Sequence, residues 1–149
     1  MKNLFDRNDS QEILNRIEKL TPETQRLWGK MDVAQMLAHC SKLLRIARGL
    51  EKPKRSVLGI LLGWMVKETF FGAKPHPKNS PTDKTLIVAD QKIFEEEKKT
   101  LIEHIKAFSE GGPQKCTTHP NPFFGKLAPE EWARGQYKHL DHHLQQFGV

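Results

Sequence analysis

Apolar residues recur at helical spacing in four separate stretches of this chain. In SQEILNRIEKL, beginning at Ser10, the positions Ile13, Leu14, Ile17 and Leu20 fall on one face of a helix. DVAQMLAHCSKLLRIARGL keeps the same period. Asp32 is placed to cap it, Gln35 three residues on completes a capping box, and Val33, Met36, Leu37, Leu43, Leu44 and Ala47 supply the stripe before Gly49 stops it. Between these two, Thr21-Pro22-Glu23 offers a cap, a first-turn proline and an early acid, which predicts a short turn or helix. Asp90 is placed to cap a long helix carrying Phe94, Leu101, Ile105 and Phe108 and ending at Gly111-Gly112. Pro129-Glu130-Glu131 opens a last helix that runs to Phe147. No alternating strand pattern and no repeat appears. Four amphipathic helices predict an all-α fold, an up-and-down four-helix bundle, as one domain over residues 1–149. Residues 51–89 break the pattern. Lys52-Pro53-Lys54 interrupts the chain, SVLGILLGWMVKETFF is apolar nearly all round up to Gly72, and AKPHPKNSPTDK is a proline-rich loop. This segment is expected to be an extra helical insertion.

The last helix carries the most specific chemistry. In WARGQYKHLDHHLQQF, His139 and His143 are four residues apart, about one turn, so both imidazoles project from one face and can share one metal ion. At roughly 100° per residue, Trp132, Ala133, Leu140, Leu144 and Phe147 form an apolar stripe, and His139, His143, Gln136 and Gln146 line its margin. His142 lies further round toward water and is the alternative partner of His139. His39 occupies the matching margin of the Asp32–Gly49 helix, between Leu43 and Ile46, and is the natural third ligand. Three neutral nitrogens around a divalent ion leave coordination positions open for water or substrate, the catalytic rather than the structural pattern. Cys40, beside His39, falls on the core side of its helix and reads as a buried thiol. His76, His104 and His119 read as surface residues. Leu140 stands where an HExxH motif would place its glutamate, so the motif encodes no general base.

Composition narrows the partners. A hydrophobic fraction of 37% and a charged fraction of 28% suit a soluble globular protein. Two cysteines build no disulfide framework and point to a reducing, cytoplasmic setting. The polar start MKNLFDRNDS lacks a signal-peptide core, and the longest apolar run, Val57 to Val66, is ten residues against the roughly 20 of a membrane span. No membrane partner is therefore expected. The net charge of +6, gathered around Arg45, Arg48, Lys52, Lys54 and Arg55 and again at Lys74 and Lys78, lacks the interleaved aromatics or groove-reading motif of a nucleic-acid binder. No nucleic-acid partner is expected, whereas an anionic small-molecule substrate suits the charge.

Three segments carry a resemblance: WGKMDVAQMLAHC (Trp28 to Cys40), HPNPFFGKLAPEEW (His119 to Trp132) and QYKHLDHHLQQFG (Gln136 to Gly148). They resemble a bacterial family of unknown function within the DinB/YfiT-like superfamily of metal-dependent enzymes. The resemblance implies a DinB-like four-helix bundle in which one histidine of the second helix and a later HxxxH bind a divalent metal, zinc or nickel. Those positions are His39, His139 and His143, and Gln146 is similar to a recurring superfamily position. Relatives implied by it include thiol S-transferases and isomerases that use low-molecular-weight thiols, and frequent dimers.

The expected function is a metal-dependent thiol transferase or hydrolase of unspecified substrate, with a low-molecular-weight thiol as its further cofactor. The alternative is a non-catalytic binding or stress-response protein whose metal site is structural or degenerate. Two smaller expectations accompany this. Phe123 or Phe124, in the proline-stiffened loop His119–Gly125, should pack onto the helices. The apolar segment around Trp64 should be covered either by the chain's own loop 73–89 or by a second copy, with a homodimer favoured.

Overall fold

In a computed structural model describing residues 1–80 and 86–149, the chain is all-helical. Among the described residues five α-helices follow one another: α1 (Arg7–Glu18), α2 (Val33–Ala47), α3 (Val57–Phe71), α4 (Phe94–Gly111) and α5 (Pro129–Gln146), with a 3₁₀ turn at Pro113–Lys115. The described residues contain no strand, only an isolated bridge between Asn121 and Gly125.

Local chemistry explains the boundaries, including two that differ from the sequence pattern. α1 starts three residues earlier than Ser10, because the Asp6 carboxylate accepts from the Asn8 and Asp9 amides at 2.8 and 3.0 Å. An acid there satisfies donors that the first turn otherwise leaves unpaired and complements the helix dipole. Ser10 is instead a buried first-turn residue whose hydroxyl donates to the Arg7 carbonyl. α2 forms as expected: Asp32 accepts from the Gln35 amide (2.8 Å) and Gln35 returns a bond to the Asp32 amide (3.0 Å). α4 begins at Phe94 rather than behind Asp90. No side chain caps it; Glu95, Glu96 and Glu97 supply its N-terminal negative charge, and Asp90 pairs with Lys92. Thr21 to Thr24 closes a turn but not a helix.

The periodicity traced most of the core, although Leu43, expected on the α2 stripe, is only partly buried and Ile46 is buried instead. Ile13, Ile17, Met36, Leu37, Leu44, Leu101, Ile105, Leu140 and Leu144 are all essentially inaccessible, and they join in one cluster with Trp132, Ala133 and Phe147. α2 lies along α4, α1 along α4 and α5, and α2 and α5 meet directly. That last contact brings the histidine margins of two helices together.

α3 meets this core near its C-terminal end, through the partly buried Phe71. It touches α5, where Phe71 packs beside Gly135, and its buried Gly59 and Gly63 lie against the backbone of Phe123 and Phe124 in the loop before α5. A Cβ at either glycine would press into the Phe123 carbonyl, so the absence of a side chain is what permits the approach. Lys67 pairs with Glu131 (2.7 Å), and the Lys138 ammonium donates to the Thr69 and Gly72 carbonyls at 2.6 and 3.0 Å. Val57, Leu58, Ile60, Leu61, Trp64 and Met65 all remain more than half exposed. Of the loop 73–89 expected as one cover, residues 81–85 lie outside the described part. No described helix is long and apolar enough to cross a membrane.

Candidate metal centre

Where α2 meets α5, three imidazoles converge. His39 is 2% exposed and His143 8%, and His139 is half-buried between them. The ring centroids of the three lie 4.6 to 4.9 Å apart pairwise, and the Nε2 atoms of His39 and His139 are 3.0 Å apart. One nitrogen from each ring falls within 4.8 Å of the others, an arrangement that can hold a metal ion.

The hydrogen bonds behind the rings decide which nitrogens face inward. His39 Nδ1 lies 2.9 Å from the Leu86 carbonyl, which only accepts, so Nδ1 carries the proton and Nε2 presents a lone pair. His143 Nδ1 donates to Gln146 Oε1 at 2.8 Å. The amide is oriented by its other end, since Gln146 Nε2 donates to the Trp28 carbonyl at 2.7 Å. His143 therefore also turns a bare Nε2 away from its partner. These are the carbonyl and amide contacts that fix tautomer and orientation in histidine metal ligands. His139 has no such support, and its Nδ1 is buried without a partner.

Without a cation this arrangement is electrostatically awkward. If His139 carries its proton on Nδ1, a buried donor is unpaired and two lone pairs meet at 3.0 Å; if on Nε2, it donates to His39 but leaves a bare buried Nδ1. A divalent ion taking a lone pair from each ring relieves the lone-pair contact of the first case, and the all-nitrogen donor set suits zinc or nickel. The residues fit the group.

Protonation of the trio is suppressed. Burial lowers the pKa of His39, His139 and His143, to about 3 for His143, with mutual repulsion and the Lys42 charge beside His39 as lesser causes. All three rings are neutral near pH 7, the form a metal requires.

The remaining candidates are sorted by the same contacts. His142, the alternative partner of His139, stays outside the trio; its ring is 5.2 Å from that of His143 and edge-on to Trp28 at 5.9 Å. Cys40 is fully buried against Met36, and burial pushes its thiol pKa up. His76, His104 and His119, expected at the surface, are each half-buried. His104 contacts the Arg48 guanidinium, and His119 Nε2 donates to the Pro53 carbonyl at 3.2 Å. His76 departs furthest. It packs on Phe70 (4.7 Å) and across from His142 (5.7 Å), with Nε2 buried and its pKa lowered to about 4, chiefly by burial. Phe124, as expected of its loop, packs onto the core, flanked by Phe70 and Phe71 at 4.7 and 4.9 Å.

Sequence patterning could not supply the backbone acceptors. Neither the Leu86 nor the Trp28 carbonyl leaves a trace in residue type, and His76 arrives by a loop with no period. Gln146 did leave one: it sits on the same margin as the two α5 histidines, one turn on.

The family described as "Protein of unknown function (DUF1569)" matches residues 2–148, so the chain belongs to that family. No curated protein and no solved structure matches it.

Proposed function

We propose that this DUF1569 chain binds one divalent metal ion, zinc or nickel, through His39, His139 and His143, and works as a metal-dependent thiol transferase or hydrolase on a small molecule. The observation that carries the reading is the pair of oriented lone pairs: His39 and His143 are each pinned through Nδ1, one by a carbonyl and one by an amide, so that both Nε2 atoms are left bare in a trio whose ligand nitrogens lie within 4.8 Å of one another. A bound ion there supplies Lewis acidity, bringing the pKa of a thiol or water toward neutrality. The protein's own part is to hold the three rings neutral and oriented and to keep the donors dry on the α2–α5 side, while half-buried His139 marks the accessible side.

The same reading takes α1, α2, α4 and α5 as an up-and-down four-helix bundle of the DinB-like kind, in one domain, with α3 as its insertion. A low-molecular-weight thiol is the further cofactor. The exposed arc of α3 supports a homodimer, since apolar surface of that extent needs cover in water. A cytoplasmic setting suits the two free cysteines.

The second reading, a non-catalytic binding or stress-response protein, is favoured by one observation: no carboxylate joins the trio among the described residues, so no acid stands ready as a general base. Elemental analysis of tag-free protein after dialysis is the first test. About one zinc or nickel per chain is expected, and a metal-free protein that cannot be reloaded defeats the first reading and leaves the second with a degenerate site. Turnover of thiol-transfer or ester substrates by the loaded protein, absent from the metal-free form, then separates them.

A further inference from the structure

Among the described residues, six buried side-chain nitrogen or oxygen atoms have no hydrogen-bond partner, and three of them belong to one neighbourhood: Trp28 Nε1, His76 Nε2 and His139 Nδ1. His142 links them. Its ring lies 5.9 Å from Trp28, 5.7 Å from His76 and 5.2 Å from that of the metal-site residue His143. An indole N–H can only donate, and leaving it buried and unpaired costs free energy that a ligand's acceptor recovers. By contrast, the orphaned indole of Trp132 lies within the hydrophobic core.

Three further observations give the missing acceptor a charge. The Lys78 ammonium is 4.4 Å from the Trp28 ring centre, on an exposed side chain. The Lys138 charge acts on His76, and the Lys42 charge on His39. The neighbouring acid, Asp141, is already committed to Arg16 at 2.7 Å. Trp28 is also positioned rather than loose. Its carbonyl accepts from Gln146, whose other end holds His143, and the next residue, Gly29, adopts a φ of +83°, with no room for a Cβ beside the Gln146 amide. The residue that orients a metal ligand therefore also anchors the backbone from which the indole springs.

We propose that Trp28, His76, His142 and Lys78 form a carboxylate-binding pocket beside the histidine trio. The substrate class is then a small molecule, such as a mercapto-carboxylic acid, whose thiol reaches the metal while its carboxylate takes the Trp28 N–H and the Lys78 charge. This deepens the metal reading above and rests on it for the thiol half only. The carboxylate half stands on Trp28, His76 and Lys78 alone.

The experiment uses the full chain, metal-free and zinc-loaded. In ¹⁵N-labelled metal-free protein, acetate titration is expected to move the Trp28 indole N–H resonance while those of Trp64 and Trp132 stay in place. In zinc-loaded protein, mercaptoacetate is expected to bind about tenfold tighter than 2-mercaptoethanol, the gain of one charge-assisted hydrogen bond. Trp28→Phe should reduce that preference to within about threefold. Lys78→Gln, at an exposed site that folding does not depend on, should reduce it in the same direction. If the Trp28 resonance is unmoved by acetate, or both variants keep the full preference, the pocket is overturned and the orphaned indole holds water only. A chain that takes up no zinc but shows the acetate shift keeps the carboxylate pocket and defeats the metal reading instead, so the two failures are told apart.

Discussion

α5 and α3 lie against each other and could hardly be more different as sequences. α5 is 18 residues long, with one apolar stripe and a polar margin that pairs outward: Gln136 donates to the Leu43 carbonyl, His143 to Gln146, and Gln146 to the Trp28 carbonyl, while Gln136 Oε1 and His139 Nδ1 are buried without a partner. α3 is 15 residues long and carries apolar side chains on nearly every side, yet buries only its glycines completely. In α5 the contrast between stripe and margin sets how deep each histidine sits, so function is written at the boundary between oil and water. In α3 there is no boundary, and its approach to the Phe123–Phe124 loop is decided by where two side chains are missing. Amphipathic contrast places residues; uniform hydrophobicity only demands cover.

Breaking the α5 side should have the largest effect. His139→Ala is expected to abolish stoichiometric metal, measured by elemental analysis, because two imidazoles remain where three are needed. His142→Ala should leave metal content nearly intact, since that ring stands outside the trio. Retained metal in the first variant, or lost metal in the second, would redraw the ligand set.

Acid should attack the same margin. In metal-free protein the folded-state pKa values of the trio lie below the 6.5 of the unfolded chain, so on lowering the pH the unfolded state takes up protons first. Stability is therefore complete above about pH 6.5 and falls as the pH drops toward about 3, the value for His143. That residue alone contributes on the order of 5 kcal/mol across the interval. Urea midpoints measured from pH 8 to pH 4 check it, and flat midpoints would mean that the rings are not buried as neutral groups.

The α3 side should respond more weakly. Gly63→Val places a side chain against the Phe123 carbonyl and should cost about 1–3 kcal/mol, while hydrogen exchange rises over Val57–Phe71 and metal content is unchanged. Smallest of all, Trp64→Glu on the exposed arc should alter monomer stability by no more than about 0.5 kcal/mol. Sedimentation of the unmodified chain against this variant reads the dimer: a shift from two copies to one supports it, and a monomer in both cases ends it.

How much of this was legible follows the same divide. Periodicity found the core of α1, α2, α4 and α5, and the angular match between His39, His139 and His143 found the trio, because burial depth follows from position on an amphipathic helix. Helix starts were less legible. Asp6 outcompetes Ser10 because the chain turns there for reasons the stripe does not register, and α4 starts on a glutamate-rich turn with no cap at all. The supporting shell was illegible for a firmer reason: Leu86 and Trp28 act through backbone oxygens, which every residue possesses. The segment expected as an extra insertion holds part of that shell, since the Leu86 carbonyl within it accepts from His39 Nδ1.

Gln146 is the feature with the longest reach. Its two ends are not interchangeable: the oxygen must take the His143 proton while the nitrogen gives one to the Trp28 carbonyl. Glutamate has the same shape but only acceptors, so in its place a carboxylate would confront that carbonyl and draw the imidazole toward imidazolate character. A single atom thus separates an electrically quiet ligand from an electron-rich one, and governs how strongly any bound ion could polarise what it holds.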